Sequence, residues 1–350
     1  MCSALLLLIS LSAPAQVIKG QTGGTVEQIT VPATSLSNSK LGDSTTQPAI
    51  VYLPGGYAQQ SSKRYPVLYL LHGFSLNPIL EAWKEVILQS MNEFLRKNPD
   101  KAFIVVIPNG ANKVHGSFYV DSEIGGNWEQ YVSQDLVRYV DSHYRTIPDR
   151  QSRAVAGHSM GGFGALRMLL FHADIFGSAY AISPCCLDLQ ADMTSENPAW
   201  LQVLGMRDVA DVQAAAAKDE FWPTALAALA IAVSPDSNSL LGADLPYRKV
   251  DGRLIEVPSV AQRWRQAMPL ELIDSHVSDL KRAVGIAIDF GYEDEFSHIP
   301  ITARQFGEKL LRLRIPVIVE GYHGDHNNGI ATRIGTRVLP FVADHLQFQK

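Results

Sequence analysis

Hydrophobic positions along the chain fall into short, β-branched runs that alternate with longer stretches of helical spacing. Strands are predicted at 25–31, 49–53, 67–71, 103–108, 153–157, 178–182, 284–290 and 317–320. Helices are predicted between the later runs, at 127–144, 162–172, 301–312 and 329–346. Alternation of this kind is typical of a mostly parallel sheet covered by helices on both faces. The pattern therefore predicts an α/β fold with one eight-stranded sheet.

The two strands predicted at 49–53 and 67–71 are joined by Pro54-Gly55-Gly56 and a polar stretch. This connection is too short for a crossover helix, which a parallel pair requires. We therefore expect the pair to be antiparallel and to form an antiparallel edge beside a parallel body.

The alternation stops between Leu187 and Leu280, where Ala-rich helical sequence is interrupted by prolines. We expect this segment to be an insertion that caps the carboxyl edge of the sheet. The chain shows no Gly/Ser-rich linker and no internal repeat. The prediction is one catalytic domain over 25–346, with the cap at 187–280.

An apolar run at the start of the chain precedes Ala13-Pro14-Ala15, the small-x-small pattern that signal peptidase accepts. Residues 1–15 are predicted to be a signal peptide, the alternative being a buried N-terminal strand or helix. No later stretch of about 18 apolar residues follows. We therefore expect a secreted or periplasmic protein without a membrane anchor.

Composition is that of a globular protein, with 46% apolar and 19% charged residues. The 35 acidic and 30 basic residues leave a net charge of −5, without a basic patch, so nucleic acid is not an expected partner. Cys2 falls in the predicted leader, and Cys185 and Cys186 are adjacent. A disulfide between neighbours needs a strained ring, so these two are expected to be small core residues.

Candidate chemistry centres on Gly157-His158-Ser159-Met160-Gly161, between a predicted strand and a predicted helix. G-x-S-x-G in this context is typical of a nucleophile elbow, in which the serine hydroxyl is exposed above the sheet. The motif predicts Ser159 as a nucleophile. A serine needs a histidine to take its proton and a carboxylate to hold that histidine.

The carboxylate and the histidine are expected after the last two strands, in the order Ser, acid, His. Asp294 is the preferred acid. Asp289, inside the strand pattern, is its main competitor, and Glu293 and Glu295 are equally well explained as solvated loop charges.

For the base, His326 is preferred to His323 because it lies just before the last predicted helix. The H-x-x-H pair could in principle bind a metal, but no further ligands occur at zinc spacing, so no metal or other cofactor is expected.

An oxyanion must be met by backbone N–H donors. The strand that ends in Leu71-His72-Gly73 places the next amide beside the nucleophile, so Phe74 and Met160 are predicted to supply the two N–H groups. His72 is expected to brace this loop.

Four of these segments resemble the Putative esterase family: those around His72, Ser159, Asp294 and His326. The family includes esterase D (S-formylglutathione hydrolase), carbohydrate esterases with feruloyl and acetylxylan activity, and the antigen 85 acyltransferases. The resemblance covers about 25–346 less the cap. It implies the α/β-hydrolase fold and favours Asp294 and His326 as triad members. Trp128-Glu129-Gln130-Tyr131 also resembles a family segment and is expected to be structural.

The resulting hypothesis is a secreted serine carboxylesterase that forms an acyl-enzyme on Ser159. Its substrates would be small or polysaccharide-linked esters of short-chain, aromatic, feruloyl or acetyl type. Acyl transfer of antigen 85 type and a catalytically silent binding module are the alternatives. Aromatic residues at such positions are more often core residues than pocket residues, so we expect the five aromatic residues of the cap to be core. They are Trp200, Phe221, Trp222, Tyr247 and Trp264.

Overall fold

A nine-stranded sheet forms the centre of the protein in the computed structural model, which describes residues 18–19 and 23–349. The strands are β1 (Ile18–Lys19), β2 (Thr25–Pro32), β3 (Thr46–Leu53), β4 (Val67–Leu71), β5 (Ile104–Pro108), β6 (Arg153–His158), β7 (Ser178–Ile182), β8 (Gly285–Gly291) and β9 (Ile318–Tyr322). Their order across the sheet is β1-β2-β3-β5-β4-β6-β7-β8-β9. The last six in this order are parallel, and β1, β2 and β3 form an antiparallel edge.

The predicted α/β fold with a mostly parallel sheet is confirmed, and each predicted strand overlaps an observed one. The prediction that 49–53 and 67–71 pair with each other is wrong. Strands β3 and β4 run in opposite directions, but β5 lies between them. The connection after β4 contains helix α1 (Leu80–Lys97), and the chain returns through it to place β5 in the gap. Connection length constrains strand direction but not which later strand fills an intervening position.

Helices cover both faces of the sheet. Beside α1 they include α2 (128–143), α3 (Met160–Phe171), α10 (His298–Arg312) and α11 (330–345). Two of them contain a π-helical turn, at Tyr131–Leu136 in α2 and at Ile334–Val338 in α11. Single 3-10 turns lie at Thr34–Leu36, Arg150–Ser152 and Ala191–Met193, and a small hairpin pairs Asp121–Ser122 with Gly126–Asn127.

The segment predicted as a cap contains six helices and one hairpin. The helices are α4 (Ala199–Val203), α5 (Val209–Ala216), α6 (Phe221–Val233), α7 (Pro258–Ala267), α8 (Pro269–Leu272) and α9 (Val277–Lys281), and the hairpin pairs Tyr247–Val250 with Arg253–Glu256. Its division from the catalytic domain remains a prediction. The predicted signal peptide, residues 1–15, lies outside the residues that the structure describes. No helix in the described part of the chain is long and apolar enough to cross a membrane.

Side chains of the central strands alternate between two hydrophobic clusters. In β4, Leu68 and Leu70 belong to the cluster that also contains α1 and α11, whereas Tyr69 and Leu71 belong to the cluster of α2, α3 and the cap. This period of two follows from the pleat of a strand. Both faces of β4 are buried, which explains its unbroken apolar sequence.

Glu129 has the structural role predicted for its segment. Its carboxylate pairs with Arg167 at 2.8 Å and with His172 Nε2 at 3.1 Å, which ties α2 to α3. Trp128 beside it is fully buried. These contacts hold α3 in place, and Ser159 lies in the turn directly before this helix.

Candidate active site

Ser159 lies at the sharp turn between β6 and α3, with φ of 56° and ψ of −117°. A positive φ strains a residue that has a side chain, and strain of this kind persists only where the surroundings enforce it. The Ser159 N–H donates to the Ile182 carbonyl at 2.9 Å. Its own carbonyl accepts from the N–H of Phe163 at 2.9 Å and of Cys185 at 3.3 Å. The predicted nucleophile is thus held in the elbow conformation by the elements around it.

The glycines two positions before and after Ser159 permit this turn. A Cβ atom at Gly157 would lie 2.2 Å from the Gly161 carbonyl oxygen, and one at Gly161 would lie 2.0 Å from the Leu71 carbonyl oxygen. Both distances are far inside van der Waals contact. The motif therefore has glycine at these positions because backbone meets backbone there.

Asp294 and His326 are joined by a hydrogen bond of 2.8 Å between Oδ2 and Nδ1. The side chains are 0% and 6% exposed. The second carboxylate oxygen of Asp294 accepts the Phe296 N–H at 2.9 Å. Because Nδ1 is occupied by the carboxylate, Nε2 is the ring atom of His326 that remains for a substrate or nucleophile.

The other candidate acids and base have different partners. Asp289 is buried in β8 and pairs with Arg333 at 2.6 Å while accepting the Tyr180 hydroxyl at 2.8 Å. Glu293 pairs with His323, whose side chain is 89% exposed. The structure therefore brings Asp294 and His326 together and places Asp289 and His323 elsewhere.

His158, the residue before the nucleophile, holds the backbone of His326. Its Nε2–H donates to the His326 carbonyl at 2.9 Å, and the two rings lie 4.6 Å apart. Burial lowers the pKa of His158 to about 3, helped by the neighbouring His326, so the ring is neutral. On the other side, Glu295 accepts the His326 N–H at 3.0 Å. The sequence did not lead us to predict this role for His158. Its position next to Ser159 is the one feature of the sequence that could have suggested it.

Ser159 and His326 both line a cavity of about 370 Å³. No hydrogen bond joins Ser159 Oγ to His326 among the described residues. Hydrogen bonds between catalytic groups are often long in a free enzyme and shorten when substrate binds. The rest of the wall is mostly apolar: Gly73, Phe74, Ile79, Ala82, Trp83, Val86, His158, Phe221, Phe296, Asn327, Ile330 and Ala331.

The loop after β4 packs against the nucleophile turn. A Cβ atom at Gly73 would lie 3.3 Å from Ser159 Cβ. The N–H groups of Phe74 and Met160, predicted as oxyanion donors, donate to no backbone or side-chain acceptor in the described part of the chain. Unpaired N–H groups beside a nucleophile are suited to an oxyanion.

His72 braces this loop, as the sequence predicted. Its Nδ1–H donates to the Gly73 carbonyl at 2.8 Å, and its Nε2 accepts the Gly110 N–H at 2.8 Å. Burial lowers the pKa of His72 to about 4, so it remains neutral and keeps one nitrogen as an acceptor. The Tyr119 hydroxyl donates to the His72 carbonyl at 3.0 Å and holds the backbone from below.

The cap contributes two of its five aromatic residues to the site. Phe221 lines the large cavity, and both Phe221 and Trp222 line a second cavity of about 30 Å³ that also borders Ser159. Trp200, Tyr247 and Trp264 instead form a buried cluster with ring separations of 5.2 and 5.5 Å. Three of the five are therefore core residues, whereas Phe221 and Trp222 fit the pocket alternative, although Trp222 also packs against the core. Hydrophobicity alone does not distinguish a cavity wall from a packed core.

The two histidines of the H-x-x-H pair can be compared with the other potential metal ligands in the described residues. No group of three His, Cys, Asp or Glu side chains in residues 23–349 is placed to hold a metal ion. The H-x-x-H pair is separated by its partners, since His326 contacts Asp294 and His323 contacts Glu293.

Comparison with known proteins gives a family match over most of the chain. The family model described as Putative esterase matches residues 44–314. The curated protein Esterase Rv1288 of Mycobacterium tuberculosis (strain H37Rv) is 34% identical over 130 residues, which are 37% of this chain and 27% of that protein. An endo-1,4-beta-xylanase/feruloyl esterase of Xylanibacter ruminicola is 30% identical over 157 residues, which are 44% of this chain and 21% of that protein. The matched segments thus span about a quarter of these relatives.

A solved structure of a ferulic acid esterase has a similar fold. Its TM-score is 0.62 at 21% identity, and the match covers 92% of this chain and 99% of that one. At this identity the likeness concerns the fold.

Proposed function

Because the chain belongs to the Putative esterase family, we propose that it hydrolyses carboxylic esters through an acyl-enzyme on Ser159. The family resemblance and the α/β-hydrolase fold that the sequence predicted are both confirmed. The observation that carries the proposal is the hydrogen bond of 2.8 Å between Asp294 and His326, at the wall of a cavity that Ser159 shares. The residue order Ser, acid, His is that of the fold's catalytic triad.

The chemistry follows from this geometry. His326 Nε2 takes the proton of Ser159 as the oxygen attacks the ester carbonyl, and Asp294 stabilises the imidazolium through Nδ1. The N–H groups of Phe74 and Met160 bind the oxyanion. The imidazolium then protonates the departing alcohol. Water, activated by the same histidine, attacks the acyl-enzyme and releases the acid.

Cavity sizes suggest which esters fit. The large cavity, about 370 Å³, has room for an aromatic ring or a sugar, whereas the small one, about 30 Å³, holds roughly one water-sized group. We therefore propose substrates with one bulky side and one small side. Acetyl esters of a bulky alcohol and methyl esters of an aromatic acid both meet this condition. A polysaccharide-linked ester, as the name of the Xylanibacter relative suggests, belongs to the same class.

A substrate profile tests the proposal. p-Nitrophenyl acetate and methyl ferulate should be cleaved. An ester that is bulky on both sides, such as p-nitrophenyl benzoate, should have a kcat/KM at least about tenfold lower, which corresponds to a loss of at least about 1.4 kcal/mol of transition-state stabilisation. The Ser159→Ala variant should be inactive on all of them. Failure of the wild-type protein on the whole panel would favour a binding module. Product analysis with added sugar separates hydrolysis from acyl transfer.

Export of the mature chain is a separate proposal. The apolar run and Ala13-Pro14-Ala15 support removal of residues 1–15 as a signal peptide. Expression of the full sequence in a bacterial host, followed by N-terminal sequencing of the extracytoplasmic fraction, should give a chain that starts at residue 16. Recovery of the uncleaved chain in the cytoplasm would contradict it.

A further inference from the structure

A second nucleophilic side chain lies beside Ser159, in the loop that follows β7. Cys185 is 7% exposed and borders the same small cavity as Ser159. Its N–H donates to the Ser159 carbonyl at 3.3 Å. The loop is strained, since Ser183 and Cys186 have positive φ angles of 39° and 60°. Strain of this kind occurs often at functional sites.

A histidine and a carboxylate accompany Cys185. His298 Nδ1 donates to Asp192 Oδ1 at 2.7 Å, and His298 is 2% exposed. The Asp192 carboxylate also accepts the N–H groups of Ser297 and His298 at the start of α10, at 2.8 and 3.1 Å. The ring is therefore fixed in the same way as that of His326.

The His298 side chain borders the same small cavity as Cys185 and Ser159. Nε2 is buried and forms no hydrogen bond to a residue that the structure describes. Burial lowers the pKa of His298, but the hydrogen bond to Asp192 and the interaction with Cys185 outweigh it and raise the pKa to about 9. The ring is therefore an imidazolium at neutral pH.

The pKa values of the two adjacent cysteines shift in opposite directions. Burial raises the pKa of the Cys185 thiol, but Cys186, His298 and the more distant His326 outweigh it and lower the pKa below its usual range. Burial and the neighbouring thiol raise the pKa of Cys186. These opposite pKa directions favour Cys185 over Cys186 as the ionised member of the pair. A thiolate, not a thiol, attacks electrophiles.

We propose that Cys185, which borders the same small cavity as His298 of the His298–Asp192 pair, is a second nucleophile and a modification site for small thiol-directed electrophiles, and that its modification blocks turnover at Ser159. The second half of this proposal depends on the proposed esterase function, and the first half does not. The small cavity has room for roughly one water-sized group. A substituent on the Cys185 sulfur fills it and excludes the small side of an ester.

The probe is methyl methanethiosulfonate, whose reaction balances without an oxidant. The Cys185 thiolate attacks the methylthio sulfur and forms a new S–S bond. The bond between the two sulfur atoms of the reagent breaks, and methanesulfinate leaves with the electron pair. A reducing thiol such as dithiothreitol reverses the modification.

Treatment of the folded wild-type protein at pH 7 should place one methylthio group on Cys185, located by peptide mass mapping. Esterase activity should fall in step with this adduct and return with dithiothreitol. The Ser159→Ala variant should be labelled at the same rate, which separates this site from the esterase proposal. The Cys185→Ala variant should retain its own starting activity through the treatment, whereas Cys186→Ala should still be labelled at Cys185 and inhibited.

The partners of the thiolate give the second arm. His298→Gln and Asp192→Asn should each slow labelling about tenfold or more, because an unassisted thiol is only a few per cent ionised at pH 7. Each variant is first checked by circular dichroism, and Asp192→Asn suffices if His298→Gln does not fold. No labelling of Cys185 in the folded protein would overturn the modification site, as would unchanged labelling in a folded partner variant. If methyl methanethiosulfonate inhibited Cys185→Ala as strongly as the wild-type protein, the proposal that modification of Cys185 blocks turnover at Ser159 would be wrong.

Discussion

The side chain of His158 donates a hydrogen bond to the backbone carbonyl of His326, 168 positions further along the chain. The residue next to the nucleophile thereby holds the loop that carries the base. Glu295 holds the N–H of the same residue, and Asp294 holds its ring. His326 is thus fixed at three points, which favours one orientation of its imidazole over the cavity.

His158 is accordingly a positioning residue. We expect His158→Ala to lower kcat about 10- to 100-fold with a smaller change in KM, because a displaced base affects the reaction step more than substrate binding. His158→Gln, which retains an N–H donor, should recover part of the loss. Steady-state kinetics on p-nitrophenyl acetate measure both, and full activity of His158→Ala would contradict the role.

Asp294 and Asp289 should respond differently to removal of charge. Asp294→Asn should lower kcat about 10⁴-fold while leaving folding intact, because the asparagine disturbs the imidazole tautomer. Asp289→Asn removes one of the two carboxylates that pair with Arg333, the other being Glu320, and should reduce the free energy of unfolding by about 1–3 kcal/mol. Urea denaturation and kinetics on both variants separate the effects. A stable, fully active Asp294→Asn variant would contradict the assignment of the acid.

Two cap tryptophans form a matched pair for testing the cavity. Trp222 lines the small cavity, whereas Trp200 is fully buried in the cap core. Trp222→Ala should enlarge the cavity and narrow the kcat/KM difference between small and bulky esters. Trp200→Ala should instead cost about 3–5 kcal/mol of stability and leave that difference unchanged. If Trp200→Ala changed the difference in kcat/KM and Trp222→Ala did not, the substrate would not occupy the small cavity beside Trp222.

Stability should decrease on mild acidification. Burial lowers the folded-state pKa of His158 to about 3 and of His72 to about 4, whereas both titrate near 6.5 in the unfolded chain. Below pH 6.5 the unfolded chain binds protons that the folded protein does not, so their contribution is complete above 6.5 and is lost as the pH falls towards the folded values. From pH 7 to 5 the free energy of unfolding should fall by about 2–4 kcal/mol.

Urea titrations across this range measure the dependence, with His158→Gln as the comparison. Removal of one of the two buried rings should reduce the slope by about half. A slope that does not change in the variant would show that His158 titrates normally in the folded protein.

Prediction from sequence worked where a short segment determines the structure. The strands were found because buried β-branched runs differ from helical spacing, and Ser159 because its glycines serve a local turn. Asp294 and His326 were preferred over Asp289 and His323 from their positions after the last two strands, and the family resemblance strengthened both preferences.

Contacts between distant segments were out of reach. The insertion of β5 beside β3, the bond from His158 to the His326 carbonyl and the pairing of Asp192 with His298 each join residues far apart in the chain. No periodicity or spacing encodes them. Cys185 and Cys186 were expected to be small core residues, and they are buried, but their electrostatic partners depend on the tertiary fold.

The central claim is that Ser159 is a nucleophile activated by His326, and fluorophosphonate labelling tests it most directly. An alkyl fluorophosphonate should form one covalent adduct on Ser159 in the wild-type protein. The adduct should be absent in Ser159→Ala, form at least about 100-fold more slowly in His326→Ala, and form at the normal rate in His323→Ala. Labelling on another residue, or an unchanged rate in His326→Ala, would contradict the account.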